Sequence, residues 1–154
     1  MPKCYQLIGV PGSGKSTWAH TTPEMQGIWT VSTDTLVEIH AHNVGKTYDE
    51  VFNDFMPEAV KLMLQEVQDA ADMGVDIIWD QTNVSVNSRV KKFRMLPEYD
   101  HIAIVFKTPH PKDLEMRLAS RPGKTIPRHV MISMIKSLQV PTLSEGFKEI
   151  RFAT

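Results

Sequence analysis

Cysteine is nearly missing from this sequence. Cys4 is the one thiol in 154 residues, so no internal disulfide can form and a reducing cytoplasm is the expected compartment. Long hydrophobic runs are missing too. The longest, Val75-Asp76-Ile77-Ile78-Trp79 and His101-Ile102-Ala103-Ile104-Val105-Phe106, have the length of a strand and fall far short of the ~20 residues that span a bilayer. The first residues, Met1-Pro2-Lys3-Cys4, enter a strand pattern without the layout of a signal peptide. No repeat, low-complexity tract or linker interrupts the chain, and the histidines have no metal-ligand spacing. These absences set aside membrane-spanning, disulfide-framework, repeat-array and histidine-metal classes.

What remains is an ordinary globular composition, 42% apolar and 23% charged, in a chain sized for one domain over residues 1–154. The net charge of −1 hides an imbalance. Residues 1–80 carry 4 Lys/Arg against 12 Asp/Glu, whereas residues 81–154 carry 13 against 6. A polyphosphate ligand needs concentrated positive potential, so the C-terminal half is expected to handle anions together with the glycine-rich loop described next.

The strongest local signal is Gly9-Val10-Pro11-Gly12-Ser13-Gly14-Lys15-Ser16-Thr17, which satisfies G-x-x-x-x-G-K-[ST]. It follows an apolar strand ending at Leu7-Ile8 and precedes a helix predicted from Lys15 to about Thr21. A triphosphate needs many donors on a short arc. Glycines let the backbone wrap closely and turn successive N–H groups inward, and the helix adds its positive end. Lys15 can reach the β- and γ-phosphates, and the Ser16 hydroxyl can ligate magnesium. The loop alone does not separate kinases from other nucleoside triphosphatases.

Along the rest of the chain, Ile28–Ser32 reads as a strand and Thr35 to about His42 as a short helix. Asp49 to Met73 is helical, with apolar residues at three- and four-residue steps; Pro57 predicts a kink or a fresh start, and Gly74 a stop. Val75–Asp80 reads as a buried strand, Ser85 to about Leu96 as a basic helix and His101–Lys107 as a strand. Pro111 and Pro127 open helices ending near Ser120 and Leu138, separated by Arg121-Pro122-Gly123-Lys124, and Phe147–Phe152 closes with a strand. Alternating strands and helices predict an α/β fold, a parallel sheet covered on both faces.

Phosphoryl transfer to a hydroxyl gains from a carboxylate that takes its proton. Asp34 follows the second strand, at the carboxyl end of the sheet where such folds bind ligands. It could equally cap the following helix, as could Ser32 or Thr33. Asp80, ending the third strand, suits a magnesium site reached through water, or is a strand-end turn residue. Arg117 and Arg121 share a helix face, Arg128 follows, and as a group they are expected to close on the transferring phosphate. Tyr48, Phe52 and Phe55 read as core residues, with base stacking as the other possibility.

These residues together resemble the phage-type polynucleotide 5′-hydroxyl kinases and related small P-loop kinases. Pro11 to Ala19 is similar to that family's phosphate loop, including Trp18 after it. Asp34 falls at its general base, Asp80-Gln81-Thr82-Asn83 at its D-x-T-N segment, and Arg117-Leu118-Ala119-Ser120-Arg121 with Gly123-Lys124 and Ile126-Pro127 at its lid. The resemblance covers roughly residues 5 to 138. It implies an adenylate-kinase-like P-loop domain with a helical arginine lid at about 111–128. It also implies ATP or another nucleoside triphosphate bound by Gly9, Pro11, Gly12, Ser13, Gly14, Lys15, Ser16, Thr17, Arg117 and Arg121, magnesium at Ser16 and Asp80, and catalysis by Lys15, Asp34 and Arg121. The implied partner is a DNA or RNA acceptor, first a 5′-hydroxyl end and second a hydroxymethyl group on a base such as 5-hydroxymethyluracil. A small-molecule kinase comes third, and a non-kinase nucleoside triphosphatase or switch module is the rival of another class. The family places an arginine for acceptor phosphate shortly after the base. The corresponding position here is Val37, beside Glu38; a valine cannot bind a phosphate and a glutamate would repel one.

Overall fold

The computed structural model describes residues 1–153. Five strands, β1 (Lys3–Ile8), β2 (Trp29–Val31), β3 (Ile77–Asp80), β4 (Asp100–Val105) and β5 (Glu149–Phe152), pair in the order β2-β3-β1-β4-β5. Every pairing is parallel. Six helices carry the connections: α1 (Lys15–Thr21), α2 (Thr33–Asn43), α3 (Tyr48–Met73), α4 (Val86–Met95), α5 (Pro111–Ala119) and α6 (Arg128–Ser137).

The two faces of the sheet follow from side-chain alternation in β1 and β3. Cys4, Ile77 and Trp79 point to one face, where they bury against Met63, Val67 and Ala70 of α3. Tyr5, Leu7 and Ile78 point to the other and pack with Ala19 of α1, Ile102, Ile104 and Phe106. Strands covered on both sides read as unbroken apolar runs, which is why β3 and β4 were visible as such.

Pro57 does not start a new helix. α3 runs through it for 26 residues. Proline removes one backbone hydrogen bond and costs about 3 kcal/mol in a helix interior. Burial of Val51, Met63 and Val67, with Ala59 and Ala70 along the same stripe, offsets this, since a fully buried Val or Met side chain contributes roughly 1.5–3 kcal/mol. The ends of α3 are well specified. Thr47 Oγ1 accepts from Glu50 N (3.2 Å) and Glu50 Oε1 accepts from Thr47 N (3.0 Å), a reciprocal cap. Gly74 closes the helix at φ +66°.

The basic helix α4 differs from a solvated cationic face. Arg89 is fully buried and Lys92 nearly so. Arg89 Nε pairs with Glu145 at 2.9 Å, and its Nη1 donates to Asn83 O (2.9 Å) and Val84 O (3.2 Å). Lys92 donates to Ser88 O at 3.3 Å and sits 5.0 Å from the centre of the Trp79 ring. Part of the C-terminal positive charge is therefore internal and structural, contrary to its expected role toward anions.

No helix among the described residues is long and apolar enough to cross a membrane.

Candidate active site

The carboxyl ends of β1, β2 and β3 open into a cleft of about 1210 Å³. The loop after β1 forms its floor. Gly12 and Gly14 hold positive φ, +82° and +97°, which a side chain would resist. At Gly9 the reason for glycine is space: an added Cβ would lie 2.6 Å from Ser13 Oγ and 2.9 Å from Phe106 Cβ.

A brace from β3 holds this loop. Gly9 N donates to Thr82 O at 2.9 Å. Asn83, at φ +49°, donates from Nδ2 to Leu7 O at 2.8 Å. Arg89 in turn grips Asn83 O, so α4 fixes the segment from behind. The Asp80-Gln81-Thr82-Asn83 stretch thus supports the loop with its far end and faces the cleft with its near end. At that near end, Ser16 Oγ donates to Asp80 Oδ2 at 2.9 Å. Burial raises the Asp80 carboxyl above its ordinary range, partly countered by Ser16 and Lys15.

Lys15 Nζ donates to two carbonyls of its own loop, Gly9 O at 2.9 Å and Val10 O at 3.0 Å. Burial pushes its amine down to about 8, against the raising influence of Asp80 and Asp34. The hydroxyl of Ser13 is buried without a hydrogen-bond partner among the described residues. A buried hydroxyl left unpaired on a glycine-rich loop fits an anionic ligand.

Across the cleft stands the start of α2. Its cap is Ser32, whose Oγ accepts from Thr35 N at 3.4 Å. Asp34 is thereby free of capping, and its side chain is 56% exposed. One carboxylate oxygen accepts from Tyr48 OH at 2.7 Å, and the other lies 3.3 Å from Lys124 Nζ. Burial, then the bond to Asp34, raises the Tyr48 phenol well above its usual range, so it remains a donor. Lys124 also pairs with Glu38 at 2.7 Å and sits 4.6 Å from the centre of the Tyr48 ring. Tyr48 and Lys124 escaped the set of candidate site residues because their partners lie far along the chain. Tyr48 read as core, and Lys124 as part of a helix break.

The arginines divide. Arg117 Nη1 donates to Gly12 O at 3.0 Å and so touches the loop directly. Arg121 lines the cleft. Its Nε and Nη2, the edge that grips an oxyanion bidentately, are buried and find no partner among the described residues. Arg128, expected with them, opens α6 and is not among the residues lining the cleft. Phe55 stacks on His40 with ring centres 3.8 Å apart, away from the cleft floor.

Val37 corrects the expectation for the acceptor wall. It is 0% exposed, packed with Ala41, Val51 and Ala59 between α2 and α3. The adjacent residue that lines the cleft is Glu38. Helix geometry turns position 37 inward, so Val37→Arg cannot supply a phosphate-binding arginine. It would bury an unpaired charge and is expected to lower the free energy of unfolding by several kcal/mol, measured by urea denaturation, with no gain in use of 5′-hydroxyl ends. A variant as stable as the parent would show that α2 can rotate this position outward.

Comparison with known proteins agrees with this architecture. A chain in the structure of the Pnkp1/Rnl/Hen1 RNA repair complex is 28% identical, with a TM-score of 0.69 over 90% of this chain. The match spans 44% of that longer chain. A sugar kinase from Janibacter sp. HTCC2649 aligns over 99% of this chain and 86% of its own, at 18% identity and a TM-score of 0.61. Shikimate kinase from Acinetobacter baumannii aligns over 100% and 84%, at 14% identity and a TM-score of 0.57. The last two share the fold with this chain and say nothing of its acceptor. Residues 6–141 match the family model described as an AAA domain, AAA_33. With most of its length matched, and with this sheet order and phosphate loop, the chain belongs to that AAA-domain family and has the fold of a P-loop kinase.

Proposed function

We propose that this protein transfers the γ-phosphoryl group of ATP to a hydroxyl on nucleic acid. The observation that carries the kinase reading is the convergence in one cleft of three groups: a phosphate-loop lysine, a carboxylate of fixed orientation, and a buried guanidinium edge with no partner among the described residues. ATP lies along Gly9–Thr17, with Lys15 leaving its loop carbonyls for the β- and γ-phosphates. Ser16 and Asp80 offer hard oxygen donors side by side and would hold magnesium, Asp80 through water; the ion would neutralise phosphate charge. Asp34 accepts the acceptor's proton as the hydroxyl oxygen attacks phosphorus and the bond to ADP breaks. Tyr48 and Lys124 set the direction of its lone pairs. Arg121 meets the equatorial oxygens, while Arg117 steadies the loop through Gly12. Positioning and charge carry the catalysis. In this reading residues 1–154 form one domain and residues 111–128 its lid.

Similarity to a chain of an RNA repair complex over 90% of the length supports a nucleic-acid acceptor, and the motif resemblance puts a 5′-hydroxyl end first. A second reading is favoured by Glu38 on the acceptor wall with Val37 turned inward. A carboxylate there suits a hydroxyl with no phosphate beside it, such as the hydroxymethyl group of 5-hydroxymethyluracil in DNA.

The test is transfer of labelled γ-phosphate onto a panel of acceptors: 5′-hydroxyl oligonucleotides, a blocked duplex containing 5-hydroxymethyluracil, free nucleosides and an unmodified blocked duplex. Label on the 5′-hydroxyl ends is the expected result. Label on the blocked hydroxymethylated duplex alone would select the second reading. Label only on nucleosides would move the acceptor outside nucleic acid. ATP turnover indifferent to every acceptor would make the protein a nucleoside triphosphatase.

A further inference from the structure

Arg121 presents a physical problem. A buried guanidinium edge without partners is costly, and a flexible side chain on a mobile loop would swing it into water. Something other than its own hydrogen bonds must keep Arg121 facing the cleft. The chain just beyond it supplies the anchor.

Three consecutive residues, Gly123, Lys124 and Thr125, are each tied to the opposite wall. Gly123 O accepts from Asp49 N at 2.9 Å. Lys124 makes its ion pairs with Asp34 and Glu38. Thr125 N lies 3.0 Å from both Asp49 carboxylate oxygens, and Thr125 Oγ1 donates to Asp49 Oδ2 at 2.8 Å. Gly123 packs so closely that an added Cβ would sit 2.7 Å from Thr47 Cβ, at φ +68°. Asp49 is the hub of this arrangement, joined to the lid through its backbone N–H and both carboxylate oxygens. It does not line the cleft and belongs to none of the buried apolar clusters. The reciprocal cap of α3 is made by Thr47 and Glu50 and does not use the Asp49 side chain.

We propose that Asp49 is a positioning residue: by clasping Gly123 and Thr125 it fixes the lid to α3 and holds Arg121 where the transferring phosphate will be. The clasp joins segments 76 positions apart in sequence. Because α3 packs on α2, which carries Asp34, the clasp ties that wall to the lid that carries Arg121, and the two catalytic groups share one frame. This rests on the role given to Arg121 above.

The experiment is a double-mutant cycle of Asp49→Ala and Arg121→Ala. The readout is kcat and KM for ATP with the best acceptor among a 5′-hydroxyl oligonucleotide, the hydroxymethylated duplex and a nucleoside, or with water if none is used. Asp49→Ala is expected to lower kcat about tenfold or more, with KM for ATP changed less than about twofold. That is the pattern of an interaction realised in the transition state. In the Arg121→Ala background the same change should cost less than about twofold, because there is no guanidinium left to position. Asp49→Asn, which keeps one acceptor oxygen, should recover part of the loss. Hydrogen exchange in the parent and Asp49→Ala proteins should show faster exchange at Lys124 and Thr125 with the sheet unchanged. Equal losses in both backgrounds would overturn the clasp while leaving Arg121 its role. If Arg121→Ala itself left kcat unaltered, the lid-arginine reading would fail, and the clasp with it. If Asp49→Ala did not fold, Asp49→Asn and Thr125→Val would take its place in the cycle, with the same two patterns deciding.

Discussion

Lys15→Ala is expected to remove phosphoryl transfer to every acceptor, by at least ~10²–10³-fold, the scale for losing one charge-stabilising donor at a reacting centre. The fold should stand. Among the described residues Lys15 Nζ hydrogen-bonds to Gly9 O and Val10 O, carbonyls of its own loop, and Lys15 belongs to none of the core clusters. Its charge is in fact a cost to the fold. Burial holds the folded amine near 8, below its ordinary 10.5. The unfolded chain therefore binds the proton more tightly than the folded one. The cost is fully present below about pH 8 and fades as pH rises from there to about 10.5. At neutral pH the alanine variant should melt no lower than the parent. Calorimetric melting and labelled transfer check both halves, and near-normal turnover in a folded variant would sink the phosphate-loop assignment.

Asp34→Asn is expected to lose ~10²–10⁴-fold in transfer, the range for general-base assistance, while ATP affinity stays within about twofold. The geometry favours a clean test. Tyr48 OH, now 2.7 Å from Oδ1, can donate to an amide oxygen equally well. Lys124 keeps its shorter partner, Glu38 at 2.7 Å. The substitution thus removes basicity and leaves the wall assembled. Single-turnover transfer and an ATP titration separate the two quantities. A variant that transfers at the parent rate would reduce Asp34 to an anchor for Tyr48 and Lys124.

The legible parts of the site were contiguous. Gly9 to Thr17 could be read because a phosphate loop is built by neighbouring residues whose backbone angles glycine permits. The ambiguity at the next helix was also local, since Ser32, Thr33 and Asp34 are all able caps. Only the placement of Ser32 Oγ against Thr35 N shows which of them does it. The side chain of Val37 turns away from the cleft, a direction that a position matched by resemblance does not carry. One residue along α2 separates the core between α2 and α3 from the cleft wall at Glu38. Arg89 and Lys92 counted toward the positive charge expected to handle anions, since spacing on α4 does not reveal that Glu145, Asn83 O and the Trp79 ring lie beside them. Pro57 was weighed by its local cost, whereas five buried side chains along α3 outweigh it.

Composition, the alternation of apolar runs with helical periods and the phosphate loop were enough to determine a parallel α/β domain that binds a polyphosphate, because these depend on residues within a few positions of one another. The order β2-β3-β1-β4-β5, the pairing of Asp34 with Tyr48 and Lys124, the unpartnered edge of Arg121 and the clasp at Asp49 were decided only in three dimensions. Apart from Arg121's isolation, which is a matter of burial, each of these is a contact between segments 14 or more positions apart, up to the β1–β4 register of Lys3 with Asp100. Such contacts form when packing of the sheet brings distant segments together, and no local propensity encodes which carboxylate will face which cation.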